Sequence, residues 1–341
     1  MITDDVCRIN VKIKLIYLVC VIFILSNSCA IEDDSFSYSP TLVEEDGILK
    51  EDCDYIFVIG DTQVYTLMPN YYSYYASTMV WIWSQIKHGK NIKCVLHVGD
   101  ITENNLPEQY DIFYQVTNPI AELIPCIACP GNHDYTWDKN NKILDRYSSR
   151  LSQYTSFSTT KNMIVGQFET GLMDNIIVEN YINGERYDII SLEFGPRPEV
   201  VEWAKQHVQS HSKIKYILLN HEYLSSEGQL ISVGSTAELQ FESRPHTTPE
   251  QLWQKLIKDS DNIVCVICGH NGFSQHLLSQ NSFNRDIVQV LFNLQYQPNG
   301  GNGWIQILEF PRNSDMVKML IYNTITHQED IDNYFEFKYK N

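Results

Sequence analysis

Basic charge is what this chain lacks most. It has 25 Lys and Arg against 42 Asp and Glu, a formal net charge of −17 over 341 residues. That balance excludes a nucleic-acid groove, which needs a basic track to meet phosphates. Any phosphorylated ligand must instead be drawn in by local positive charge, most simply by metal ions. A membrane-spanning run is also missing: the apolar stretch 15–25 stops at eleven residues, too few to cross a bilayer as a helix. There is no internal repeat and no disulfide framework. At 43% hydrophobic and 12% aromatic, the chain can still bury a large core in one large or two small domains.

The N-terminus reads as a targeting segment. Arg8, Lys12 and Lys14 precede the apolar run, and Ser26-Asn27-Ser28-Cys29 follows it. Small residues ahead of a cysteine look like a bacterial lipoprotein processing site, and the acidic residues after Cys29 resemble an export signal of surface lipoproteins. The expectation is a signal peptide over 1–28, acylation of Cys29, a flexible acidic tether over 29–50 and one domain over 51–341. The protein would then be secreted and anchored to the cell envelope, at the outer membrane, rather than spanning it. Nothing in the sequence sets an oligomeric state.

Of nine cysteines, two leave with the signal and Cys29 carries lipid. Cys126-x-x-Cys129 and Cys265-x-x-Cys268 imitate a four-thiolate zinc site but lie in apolar runs that read as buried strands. Positions i and i+3 of a strand face opposite sides, so neither pair can pinch one metal. They read as small core hydrophobes.

Strands at 55–59, 94–98 and 123–129 alternate with helices at 72–87 and 107–117, which predicts βαβ units and a largely parallel sheet. Residues 135–185 are polar and turn-rich and read as an insertion walling one side of the site, with strands at 163–168 and 175–181. Strands at 188–194, 214–219 and 263–267 alternate with helices at 198–210 and 249–258. Residues 225–247 read as a lid. The runs 273–280, 286–294, 303–310 and 316–323 predict antiparallel strands in a second sheet.

Five strand ends carry chemistry: Asp61, Asp100, Asn132 with His133, His221 and His270. One Asp or His after a strand is usually a cap. Five of them, each beside Gly, Asn or another polar residue, point to ligands or catalytic groups meeting in one crevice. Oxygen and imidazole donors without thiolate suit Mn, Fe or Zn in a hydrolytic site.

Gly60-Asp61, Gly99-Asp100-x-x-Glu103, Gly131-Asn132-His133-Asp134, His221 and Gly269-His270 resemble, in order and spacing, the calcineurin-like metallophosphoesterase family. The resemblance covers about residues 53–325. Tyr296-Gln297 and Gly300-Gly301-Asn302-Gly303-Trp304 are further similar to a secreted bacterial branch of it. It implies an α/β fold, a four-layer α/β/β/α sandwich, holding two metals about 3.5–4 Å apart with a hydroxide between them. It implies hydrolysis of phosphomonoesters or phosphodiesters. Asp100 would bridge the metals, and Asn132, His221 and His270 would complete the second metal's ligands. His133 would stabilise or protonate the leaving oxygen, while Glu103 and Asp134 orient ligands.

Two departures bear on the first metal. The family's Asp-x-His is here Asp61-Thr62-Gln63, and its Gly-His-x-His is Gly269-His270-Asn271-Gly272. The tyrosine that purple acid phosphatases place three residues after the bridging Asp is absent, because that position is Glu103. The first metal keeps Asp61, Asp100 and the amide oxygen of Gln63, a harder shell better suited to Mg, Mn or Ca than to Zn. The expectation is a second site that fills tightly and a first that fills loosely. The alternative is a degenerate domain that binds a surface ligand without turnover.

Overall fold

In a computed structural model of the protein, residues 39–242 and 244–339 are described. The expected signal segment, Cys29 and the first part of the tether lie outside them. No helix among the described residues is long and apolar enough to cross a membrane.

Strands β1 (Cys53–Ile59), β2 (Asn91–His97) and β3 (Cys126–Ala128) run parallel, joined by the helices Tyr72–Lys87 and Pro107–Ala121. All seven residues of β1 are buried, as a strand covered on both faces requires. Pro107 opens its helix at the first turn, where no backbone N–H is needed. On the other side of β1 lies β14 (Trp304–Pro311), antiparallel, then β15 (Met316–Asn323), which pairs with β16 (Gln328–Glu329) and β17 (Phe335–Lys338).

The second sheet has the order β12 (Phe273–Gln280), β13 (Asp286–Asn293), β11 (Ile263–Cys268), β10 (Lys215–Leu219), β9 (Glu185–Ser191), β7 (Ile176–Val178) and β6 (Ile164–Gln167). Its strands β9, β10, β11 and β13 are parallel. β8 (Tyr181–Ile182) pairs with β9, while β4 (Thr136–Asp138) and β5 (Ile143–Asp145) form a hairpin of their own.

Ile56, Val58 and Leu96 of the first sheet share one buried cluster with Ile189, Ile217, Ile267 and Val290 of the second. Burying one such side chain contributes roughly 1.5–3 kcal/mol. On the outer face of the second sheet, Val200, Val201, Ala204 and Val208 line one stripe of the helix Pro198–Ser210 and pack with Ile190, Leu218 and Val266. On the outer face of the first, Trp81 packs against Phe57 with ring centroids 5.7 Å apart, and Phe113 meets His97 edge-on at the same distance. Helices, sheet, sheet, helices: the four-layer sandwich is the observed fold.

Three expectations need correction. The last four predicted strands do not share a sheet: β12 and β13 join the second, whereas β14 and β15 return to the first beside β1. Alternation marks a strand but carries nothing about its partner. Within 135–185, β6 and β7 extend the second sheet. The helix predicted over 249–258 is one α-turn, Pro249–Leu252, followed by a wider π-type turn, Trp253–Ile257, which keeps Trp253, Leu256 and Ile257 buried.

The end of the expected tether lies against the domain. The Val43 N–H donates to the Ser84 hydroxyl at 3.0 Å, and Trp81 Nε1 and the Tyr322 hydroxyl both donate to Asp46 at 2.6 Å. All six cysteines among the described residues are buried and unpaired, as small core hydrophobes.

Candidate metal centre

Asp61, Asp100, Asn132, His221 and His270 each lie just beyond a parallel strand, three from one sheet and two from the other. The loops bearing them touch because two glycines leave room. Gly99 has a φ of +100°, and a Cβ there would lie 2.7 Å from both the Gly131 nitrogen and His221 Nδ1. A Cβ on Gly131 would overlap the Asp100 carboxylate. Asp100 and His270 themselves take left-handed backbone, φ 49° and 68°. For a side-chain-bearing residue that conformation costs of order 1–3 kcal/mol and persists only where its surroundings enforce it.

His221 sits at the middle. Its Nδ1 is 2.7 Å from the Val98 carbonyl oxygen, so that nitrogen carries hydrogen and donates. In the neutral ring Nε2 then bears a lone pair. It faces Asn132 Oδ1, Asp100 Oδ1 and His270 Nδ1, each at 3.2 Å. His270 is held from behind by the Thr236 hydroxyl, 2.7 Å from its Nε2. When the Thr236 hydroxyl accepts from Nε2–H, His270 Nδ1 also bears a lone pair, and acceptors cannot hydrogen-bond one another. Lone pairs converging this way are stabilised by a cation, either a proton or a metal ion. Donor atoms of Asp100, His221 and His270 all lie within 4.8 Å of one another, a separation one ion can span, and Asn132 Oδ1 supplies a fourth.

The electrostatics agree. Burial opposes charge on His221, yet the Asp100 and Asp61 carboxylates outweigh it and push the imidazole up to about 10. Burial alone would raise Asp100; His221 beside it more than reverses this and holds the carboxyl below its ordinary range. Burial pulls His270 down to about 3, so it stays neutral and able to ligate. Without a metal, then, a proton on His221 balances the carboxylates, and it is what an incoming cation displaces.

The first position is poorer. Asp61 Oδ1 accepts from the His270 N–H at 3.2 Å, and Oδ2 accepts from the side-chain amides of Asn293 at 2.7 Å and Gln295 at 3.1 Å. Gln63 Nε2 donates to Asp100 Oδ2 at 3.1 Å, while its Oε1 is buried with no hydrogen-bond partner. An unused amide lone pair beside the Asp100 carboxylate fits a hard cation, but only oxygens serve it. Asn293, Gln295 and Thr236 were not anticipated. Asn293 does follow the pattern of a polar residue ending a buried strand, and that signal could have found it.

His133 stands at the rim. Its backbone N–H donates to Asp100 Oδ1 at 2.9 Å, and its Nδ1 lies 3.0 Å from the Glu103 carbonyl oxygen and 3.5 Å from that residue's carboxylate. Burial lowers its basicity, but Asp100 and Glu103 outweigh this and raise it above that of a free imidazole. Glu103 therefore orients the ring, mainly through its backbone.

Asp134 staples the neighbouring loop. Fully buried, its carboxylate accepts from the backbone N–H groups of Ile101, Thr102 and Gly131 and from the hydroxyls of Thr102 and Tyr110, at 2.9–3.2 Å. Burial pushes its carboxyl up to about 6. Asp134→Ala would strand several buried donors, each costing roughly 1–3 kcal/mol. The variant is expected to lose about 3–5 kcal/mol of stability, measured by urea unfolding.

A family model described as calcineurin-like phosphoesterase matches residues 55–299, which contain every residue of this centre. The chain belongs to the calcineurin-like phosphoesterase family. It is similar to the uncharacterized protein YvnB of Bacillus subtilis (strain 168), 24% identical over 283 residues that cover 79% of this chain and 20% of that protein. It also matches probable inactive purple acid phosphatase 27 of Arabidopsis thaliana, 43% identical over 53 residues, 15% of this chain and 9% of that one. The chain thus spans a fifth or less of the length of these curated relatives. Among solved structures, a 5'-nucleotidase precursor from Thermus thermophilus aligns with a TM-score of 0.43 at 13% identity, over 83% of this calcineurin-like phosphoesterase and 54% of that chain.

Proposed function

We propose that this protein is a metal-dependent phosphoesterase that hydrolyses phosphomonoesters or phosphodiesters. The observation that carries the reading is the convergence of unshared electron pairs from Asp100, Asn132, His221 and His270, with a polar, partly exposed imidazole, His133, at the rim. Bound cations would supply a nucleophile at neutral pH and neutralise the phosphoryl oxygens. Asp100, Asn132, His221 and His270 hold the tighter position. Asp61, Gln63 and Asp100 hold the weaker one, which favours a hard ion such as Mn, Mg or Ca; Mn, Fe or Zn are the candidates for the tighter one. Asp61 is fixed by Asn293 and Gln295, and His221 by the Val98 carbonyl. His133, steered by Glu103 through Nδ1, presents Nε2 to the leaving oxygen and donates the proton it needs. The proposed setting is a secreted, lipid-anchored protein of the cell envelope.

The second reading, a domain that binds a surface ligand without turnover, is favoured by two observations: Asp61 Oδ2 is already engaged by two amides, and position 272 carries no imidazole. Purified protein with added Mn or Zn, offered a chromogenic monoester and a diester, separates the two. Turnover that requires the ion and stops on chelation is expected. Phosphate binding with no turnover under any added ion would establish the second reading.

A further inference from the structure

Position 272 is glycine, and the space a side chain there would enter is already filled. A Cβ on Gly272 would lie 2.7 Å from Cδ2 and 3.2 Å from Cε2 of Tyr296. Tyr296 comes from the turn after β13, which also sends Gln295 to Asp61, next to Asn293 at the end of that strand. The residue is 67% exposed, and its hydroxyl makes no hydrogen bond among the described residues. Partial burial of the ring, and behind it the carboxylates of Asp61, Asp100 and Glu103, raise the phenol's pKa, so the hydroxyl stays protonated. The residues bonded to one another around the centre are carboxylates, amides, imidazoles and hydroxyls. No Lys or Arg side chain among the described residues bonds to any of the proposed ligands. A phosphate bound there must find its protein donors among other groups, such as His133 and the unused hydroxyl of Tyr296, whose ring lies against Gly272, two residues from His270.

We propose that Tyr296 is a substrate-binding residue of this centre: its hydroxyl donates a hydrogen bond to a non-bridging oxygen of the bound phosphate, on the side a residue-272 imidazole would have occupied. The inference rests on the phosphoesterase reading for its ligand. Its test does not depend on turnover.

Inorganic phosphate is titrated calorimetrically into Mn-loaded wild type, Tyr296→Phe and Tyr296→Ala, with Mn content and melting temperature measured on each. Tyr296→Phe keeps the ring over Gly272. It is expected to bind phosphate about 10- to 100-fold more weakly, the worth of a hydrogen bond to a charged group, with Mn content and melting temperature unchanged. Wild-type phosphate affinity in Tyr296→Phe would overturn the proposal, whether or not Tyr296→Ala is weakened, because the ring alone would then suffice. Loss of Mn from Tyr296→Phe would also overturn it, placing the residue behind the metal rather than against the ligand. Absence of phosphate binding by wild type would do the same. If wild type binds phosphate through the hydroxyl but hydrolyses no ester, the contact stands and the enzyme reading fails.

Discussion

Asp100→Asn is expected to abolish hydrolysis, lowering kcat/KM by on the order of 10³ or more, which is about 4 kcal/mol of transition-state stabilisation. The substitution is nearly isosteric, so the fold should survive it. What changes is charge. Asp100 Oδ1 faces His221 Nε2 at 3.2 Å and the His133 N–H at 2.9 Å, while Oδ2 receives Gln63. One carboxylate thus touches both halves of the centre, and a neutral amide can bridge neither as well. Metal analysis should show loss of bound ion in parallel with rate. Full Mn content with a normal rate in this variant would contradict the assignment of Asp100 to the metals. The measurement is kcat/KM with a chromogenic ester alongside elemental analysis of the purified variant.

His133→Ala should separate chemistry from metal binding. The side chain is partly exposed, and its contacts are with Glu103 rather than with His221 or His270. Its removal is expected to cut kcat by about 10²–10⁴, the usual worth of a placed general acid, with metal content intact. The loss should depend on the leaving group: severe for an alkyl phosphate, whose alkoxide needs a proton, and mild for a nitrophenyl ester, whose phenolate departs without one. A pH profile adds the sign. An acid catalyst works below its pKa, so the wild-type rate should fall as pH rises through that of His133. The variant should lack this alkaline limb. Equal losses for both ester classes would place His133 in binding rather than proton transfer.

The centre was more legible than its surroundings. Asp61, Asp100, Asn132, His221 and His270 could be read because a buried parallel strand is an apolar run, and a charged or amide side chain at its end has no packing role. His133 and Asp134 are neighbours in sequence, read as a proton donor and as a group that orients ligands. One faces the crevice while the other is sealed beneath it, because only burial distinguishes an exposed acid from a loop staple. Gln295 and Thr236 were missed, since a polar residue in a turn looks the same whether it faces solvent or Asp61. Asp46 was hidden for the opposite reason. An acidic stretch reads as tether, and its partners Trp81 and Tyr322 lie far away in sequence. The pairing of β14 and β15 with β1 could not be read, because strand order depends on distant parts of the chain meeting. The Tyr296-Gln297 pair is visible in the sequence, but the approach of Tyr296 to Gly272 is visible only in the fold.

The candidate ligands come first from one sheet and then from the other, with the last of them, His270, in the turn after β11. No contiguous fragment shorter than that span contains the full set. An assembly of this kind has no partial version to inherit or to express on its own: a chain cut before β11 keeps the acidic turns and His221 but loses His270, and the proposed donor set is complete only when both halves of the sandwich have closed.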